Sequence, residues 1–241
     1  MNSRTSWYDR APHLPHPAER WAFLVEAVRD MRTTGAVAPS GPALADALTG
    51  PVRARAPRPL TVLEAGAGTG AVTRVLVPQL PPGSRLDVID ANPRFAGRLR
   101  HLVAARARRA EPAARVRVDV HHARVEQLAT ERRYDVIVSG LPLTNFTPGQ
   151  VRTIMDRYLE LLRPGGVLTY FAYLGTRPAR TLLASPAAAR RHRAVDAVMD
   201  AYRRRCATSC RTVWGNLPPA RVWQLQRPLS APRPTEVGAG R

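Results

Sequence analysis

Apolar residues recur along this chain with two different periods. Trp21, Leu24, Val25 and Val28 fall at i, i+3, i+4 and i+7, which predicts a helix from Ala18 to about Met31. A second, short helix is expected over Ala43–Leu48, after the turn Pro39–Ser40–Gly41–Pro42, and the Pro- and Arg-rich residues 50–59 read as a linker. From residue 60 onward, short β-branched runs alternate with helical patterns. The runs predict strands at Leu60–Ala65, Arg85–Asp90, Val116–Val120, Tyr134–Ser139 and Val167–Tyr173, and helices at Ala71–Gln79, Pro93–Arg109 and Gly149–Leu162. Residues 187–205 continue as a helix, followed by a β-like pair near Thr212–Trp214 and Val222–Leu225. Such alternation predicts an α/β fold: a doubly wound, Rossmann-like, mostly parallel seven-stranded sheet with helices on both faces, plus an N-terminal helical cover. Three segments are expected. Residues 1–59 form an arm and cover, 60–229 the α/β domain with an Arg-rich helical insertion at 187–205, and 230–241 a disordered tail with little to bury.

Composition narrows the classes. No apolar run approaches the roughly 18–20 residues that cross a bilayer. Met1–Glu19 has scattered charges and prolines and no apolar stretch, so no secretory signal is expected. Cys206 and Cys210 are the two cysteines, which excludes a disulfide scaffold and fits a reducing cytosol; four residues apart, they are read as structural residues on one helical face.

Charge changes the picture more. The 37 cations are all arginine, against 18 acids, for a formal net charge of +19. Residues 98–133 hold ten arginines against four acids, and residues 177–211 hold nine against two. In the second segment Val195, Val198, Met199 and Tyr202 make an apolar stripe flanked by Arg190, Arg191, Arg193 and Arg203–Arg205. A basic amphipathic helix of this kind either lies in an anionic membrane interface or lids the sheet with its arginines in solvent. The N-terminal helix, with balanced charges, reads as a cover over a ligand, although Trp21 and Phe23 could reach lipid.

The most informative stretch is Val62-Leu63-Glu64-Ala65-Gly66-Ala67-Gly68-Thr69-Gly70. A buried strand runs into three glycines at alternate positions and then into a helix, where absent side chains let a ligand approach the backbone. The run Gly66-x-Gly68-x-x-Ala71 also satisfies a dinucleotide fingerprint. Two features favour S-adenosylmethionine: Glu64 precedes the first glycine by two residues, and the third glycine follows the second by two. Asp90 ends the second strand, where a carboxylate can accept both ribose hydroxyls, and Ala91-Asn92-Pro93 opens the next helix.

The Glu64-x-Gly66-x-Gly68-x-Gly70 form, Asp90, and Leu162-Arg163-Pro164-Gly165-Gly166 (a tight turn before the fifth strand) resemble the class I S-adenosylmethionine-dependent methyltransferases. Within that class, Ser139-Gly140-Leu141-Pro142-Leu143 and Asn216-Leu217-Pro218-Pro219-Ala220 resemble the bacterial phospholipid N-methyltransferases, which convert phosphatidylethanolamine stepwise to phosphatidylcholine. Gly35–Ser40 and Tyr170–Tyr173 support the likeness, which runs from about Arg20 to Arg227 and is poorest at helix 187–205. The resemblance implies S-adenosylmethionine as cofactor, held by Ser40, Glu64, Gly66, Gly68, Gly70, Asp90, Ala91, Asn92, His122, Ala123, Ser139, Gly140, Leu141 and Pro142. It implies a lipid amine as acceptor, oriented by Asn145 and Tyr173, with Trp7, Tyr8, Phe146 and Tyr173 as faces for a methylated cation or as core.

One position departs from the class. His122 stands where an acid near the adenine is usual, and either hydrogen-bonds the base or lies on the surface. The pair His121–His122 has no third ligand in the sequence, so no metal is expected. The expected setting is cytoplasmic, peripheral on the inner face of the membrane. Two other acceptors fit a strongly basic methyltransferase, an rRNA adenine and a small molecule, but the Leu-Pro-Leu tail lacks the aromatic that would stack on a flipped base.

Overall fold

Alternation along the central strands sends side chains to two separate apolar layers. In the computed structural model, which describes residues 41–107, 116–174, 186–216 and 218–229, Leu63 and Ile137 face one layer, while Val62, Val136 and Val138 face the other. The strands are β1 (Thr61–Ala65), β2 (Arg85–Asp90), β3 (Arg117–His122), β4 (Tyr134–Ser139), β5 (Leu162–Tyr173), β6 (Ala207–Val213) and β7 (Ala220–Gln226). They form one seven-stranded sheet in the order β3-β2-β1-β4-β5-β7-β6. The first five run parallel and β7 pairs antiparallel with both β5 and β6.

Helices α1 (Pro42–Arg53), α2 (Ala71–Leu76) and α3 (Pro93–Ala107) cover one face; α4 (Pro148–Leu161) and α5 (Pro186–Cys206) cover the other. The sheet order reverses between β1 and β4, so the chain leaves these neighbouring strands in opposite directions and opens a crevice at their carboxyl ends.

Several expectations need correction. The helix expected over 43–48 extends to Arg53, into the segment read as a linker, because Pro51 and Val52 are buried in its last turn. Pro51 is tolerated there, since what it forgoes is one hydrogen bond near a helix end. Thr169 on β5 donates to the Leu48 carbonyl at 2.8 Å and fixes α1 against the sheet. The turn expected at 162–166 is instead the start of β5, where Leu162 already pairs with Tyr134 across a register shift and Gly165 takes a left-handed φ of 75°. The last hairpin is longer than the pair of short runs suggested.

Cys206 and Cys210 do not share a helical face. Cys206 ends α5 and is buried, whereas Cys210 lies on β6 and is exposed. The predicted helix at 18–31, Ser40, Trp7, Tyr8 and the tail 230–241 lie outside the described residues.

Helix α5 answers the question posed by its stripe. Val195, Met199 and Tyr202 are buried in the core with α4 and β5, and Val198 packs against them, so the stripe is core and is not available to a bilayer. Arg190, Arg193, Arg204 and Arg205 remain exposed on the outer surface. Among the described residues no helix is long and apolar enough to cross a membrane.

Candidate active site

The bend between β1 and α2 is shaped by close backbone approach. A Cβ on Gly66 would strike the Leu141 side chain, and one on Gly140 would lie 2.5 Å from the Gly66 carbonyl oxygen, so these glycines let the ends of β1 and β4 meet. A Cβ on Gly70 would press on Leu99 and Leu102 of α3, which makes the third glycine a packing position. Gly68 differs. It has a left-handed φ of 54°, and nothing lies within 4 Å of where its Cβ would point. This is the cradle expected for a ligand lying over the bend.

Asp90 holds that cradle in place. Its Oδ2 accepts from the Gly68 N–H at 2.7 Å and its Oδ1 from the Asn92 N–H at 2.8 Å. Both oxygens therefore already serve the loop, and a ribose would use their remaining lone pairs.

A cleft of about 580 Å³ opens beside the bend. Of the residues expected to hold the cofactor, Gly66, Gly68, Asp90, Ala91, Ala123, Gly140, Leu141 and Pro142 line it, as does Asn145. Glu64, Gly70, Asn92, His122 and Ser139 do not. The His122 Nε2 sits 3.1 Å from the Ala91 carbonyl oxygen on the surface. Ser139 is buried behind the wall, accepting from the Tyr158 hydroxyl at 3.0 Å. The cleft gains residues the sequence did not single out: Phe95 from α3, Arg124 and Glu126 after β3, and Gln150 and Ile154 from α4. Phe95 was the most accessible to sequence reasoning, being the first aromatic after Asp90 in a helix that starts at the sheet's carboxyl edge. Gln150 was recognisable only as a helix-start residue, since Thr147 and Gln150 form a reciprocal capping box.

Glu64 occupies an unusual environment. It is buried beneath the bend, and neither carboxylate oxygen has a hydrogen bond among the described residues. Burial pushes its carboxyl up from 4.5 to about 7; the Thr73 hydroxyl and backbone N–H, near it but outside hydrogen-bonding geometry, moderate the rise, and nearby Asp90 adds to it. A second buried acid, Asp87, is fully satisfied. It accepts from His121 at 2.9 Å, Arg132 at 2.7 Å and the Tyr134 hydroxyl at 2.8 Å. Burial works to raise Asp87, but these donors outweigh it and hold the carboxyl below its ordinary range.

A smaller pocket of about 260 Å³ lies between the end of β5 and α5. Tyr170, Phe171, Ala172 and Tyr173 line it along β5, with the Tyr170 side chain in the α5 layer and those of Phe171 and Tyr173 in the opposite one; His192, Arg193, Asp196 and Arg203 line it from α5, and Leu143 and Thr144 close one side. The segment 141–146 is thus a shared wall: Leu141, Pro142, Asn145 and Phe146 line the cleft, while Leu143 and Thr144 line the pocket. Asn145 and Tyr173, the two residues expected to orient an acceptor, lie on different sides of it. Phe171 and Tyr173 meet edge to face, with ring centroids 4.9 Å apart. Among the described residues no group of three metal-ligating side chains occurs.

Residues 63–168, from β1 into β5, match the family model for a methyltransferase domain. With the sheet order, the glycine bend and its Asp90 anchor, this defines an S-adenosylmethionine-dependent methyltransferase domain. More particularly, an ornithine lipid N-methyltransferase of Singulisphaera acidiphila is 32% identical over 111 residues, 44% of this chain and 53% of that protein. The chain therefore spans about half the length of the curated relative it matches. Among solved structures, the N-methyltransferase NodS of Bradyrhizobium japonicum, in complex with S-adenosyl-L-homocysteine, superposes with a TM-score of 0.55 at 22% identity, covering 78% of this chain and 89% of that one. The 1,6-didemethyltoxoflavin-N1-methyltransferase of Burkholderia thailandensis gives 0.52 at 21% identity over 91% and 93%. At these identities the likeness is one of fold.

Proposed function

We propose that this protein methylates the amine of a lipid head group, working peripherally on the inner, anionic face of the membrane. The carrying observation is the pocket beside Tyr170 that shares the 141–146 wall with the cofactor cleft. The relative that matches it in sequence is itself a lipid N-methyltransferase, and the sequence resemblance points to phosphatidylethanolamine as acceptor.

The residues present fit S-adenosylmethionine: an open left-handed Gly68 for close approach, Asp90 for the ribose, and Phe95, Ala123 and Arg124 in the cleft lining for the base. When bound, the cofactor supplies an electrophilic methyl group on a sulfonium. The chain's own task is alignment and exclusion of water, because an in-line displacement gains most from a fixed approach. Leu141, Pro142 and Phe146 keep the cleft side of the wall apolar. The attacking amine must be neutral, and a desolvated pocket disfavours its protonated form. Asn145 serves as an orienting acceptor from the cleft, and Tyr173 from the pocket. Burial raises the Tyr173 phenol above its ordinary value, so it meets the amine as a hydroxyl and not as a phenolate. Tyr170 and, at the end of the strand, Tyr173 tolerate the cation that builds up as methyl groups are added.

Docking on the membrane falls to exposed arginines. With the α5 stripe buried, attraction to anionic lipid runs through Arg190, Arg193, Arg204 and Arg205, at roughly 1 kcal/mol each near the surface. The test offers methyl-labelled cofactor together with phosphatidylethanolamine vesicles, ornithine lipid vesicles, rRNA and free ethanolamine. Label is expected in a lipid fraction. Label confined to RNA or to the free amine overturns the proposal.

A further inference from the structure

Among the described residues, Arg203 is the one arginine that is both mostly buried and part of the pocket lining. Its side chain is 13% exposed. The Nε donates to the Tyr170 hydroxyl at 2.8 Å, Nη1 donates to Asp200 Oδ1 at 2.7 Å, and the guanidinium carbon lies 4.7 Å from the Trp223 ring centroid and 5.9 Å from that of Tyr170. The fork is thereby held by two hydrogen bonds and two aromatic rings. Its Nη2 has no acceptor among the described residues, and the residue lines the pocket.

A purely structural role accounts for the tether to β5 and β7, but not for the charge. Taking a guanidinium out of water is costly unless its donors are satisfied, and a methionine would cover Trp223 as well. Asp200, half exposed, offsets part of that cost through one nitrogen. A rigid, half-satisfied guanidinium at the end of this pocket is a preorganised receptor for a planar or tetrahedral oxyanion. Arg193 on the same rim adds a second positive charge.

We propose that Arg203 binds an anionic group of the methyl acceptor, so that the substrate is an amine carrying its own phosphate or carboxylate, with the anion on Arg203 and the amine toward the 141–146 wall. This rests on the pocket being the acceptor site, as argued above. A phospholipid, an amino-acid lipid and a free zwitterionic amine share that chemistry, and the experiment separates them.

Steady-state methylation is measured with four acceptors: phosphatidylethanolamine vesicles, soluble phosphoethanolamine, soluble ethanolamine, and stearylamine carried in neutral vesicles. In the unmodified protein, kcat/KM for phosphoethanolamine is expected to exceed that for ethanolamine by tenfold or more; equal values overturn the inference without any variant. In Arg203→Met, KM for both phosphate-bearing acceptors should rise at least tenfold with kcat nearly kept, while KM for stearylamine stays within twofold. Arg203→Lys, which keeps the charge but not the fork, should fall between. S-adenosylhomocysteine affinity and the melting temperature report whether each variant is folded. A rise in KM that is the same for stearylamine, or no rise at all, overturns the role of Arg203. If phosphatidylethanolamine is methylated equally well by Arg203→Met, the inference fails and the lipid function stands. If the variant discriminates on phosphoethanolamine while no lipid is methylated, the inference stands and the lipid function fails.

Discussion

The Asp90 carboxylate grips the backbone N–H of Gly68 at 2.7 Å, joining the end of β2 to the open point of the β1–α2 bend. The contact is charge-assisted and short, and it fixes the residue whose missing side chain leaves the cleft accessible. Cofactor affinity should depend on it even before any direct contact with the ribose is counted. Asp90→Ala removes two such hydrogen bonds, worth about 1.5–3 kcal/mol each, together with the proposed ribose acceptor. A loss of at least about a hundredfold in S-adenosylhomocysteine affinity by calorimetry is expected. Unchanged affinity would place the cofactor elsewhere.

The glycines of the bend should separate into two phenotypes. Gly66→Ala puts a methyl group into Leu141 at a left-handed φ of 74°. It should cost ~3 kcal/mol of folding stability in urea titration. Gly68→Ala meets no atom in the protein and should cost only the ~1–2 kcal/mol of its left-handed backbone, yet it should abolish cofactor binding. If Gly68→Ala binds normally, the bend is structural only.

Glu64 gives a pH signature. Its folded carboxyl titrates near 7, above its ordinary 4.5, so between those values the unfolded chain has released a proton that the native protein still holds. Stability should therefore fall as pH rises from 4.5 toward 7 and level off above, by at most on the order of 3 kcal/mol from this group. Glu64→Gln should flatten that slope in melting curves taken across the range. An unaltered slope would mean the carboxylate is compensated.

Asp87 has the opposite sign. Its folded value is depressed, so the stability it contributes is present above the ordinary carboxylate range and lost as pH falls through the folded value. Tyr134→Phe removes one of its three donors and leaves the buried carboxylate less satisfied. The expected cost is ~1–3 kcal/mol at pH 7, shrinking as the solution is acidified until Asp87 protonates. A cost independent of pH would assign the loss to packing.

Membrane attachment should respond to charge alone. Replacing the exposed Arg190, Arg204 and Arg205 with Gln should weaken sedimentation with anionic vesicles by more than about tenfold at low salt, and less at high salt, where the Debye length shortens. Cofactor affinity should be unchanged. Vesicle binding that survives both the substitutions and salt would point to another anchor.

What the sequence by itself determined is what depends on local chemistry. The limits of β2 and β4, the strand–glycine–helix order and the acid at the end of β2 are set by neighbours in the chain, through alternation, turn residues and missing side chains. The parallel order followed from alternation, because a right-handed crossover leaves few topologies. Only the tertiary structure decided how distant pieces divide their roles. It turned the α5 stripe inward, since Val195, Met199 and Tyr202 meet α4 and β5, which no periodicity reveals. It assigned Gly66 to Leu141, Gly70 to α3 and Gly68 to the open cleft, three roles within one motif. It gave Asn216 a reason as well: its side-chain oxygen accepts from the Gly41 N–H at 3.0 Å and its amide donates to the Pro218 carbonyl at 2.7 Å, clamping the start of α1 to the final hairpin. And it set Arg203 against Tyr170 and Trp223, residues 33 and 20 positions away along the chain. Such partnerships come from the close packing of faces that only the folded sheet brings together, and the linear order of residues carries no signal for them.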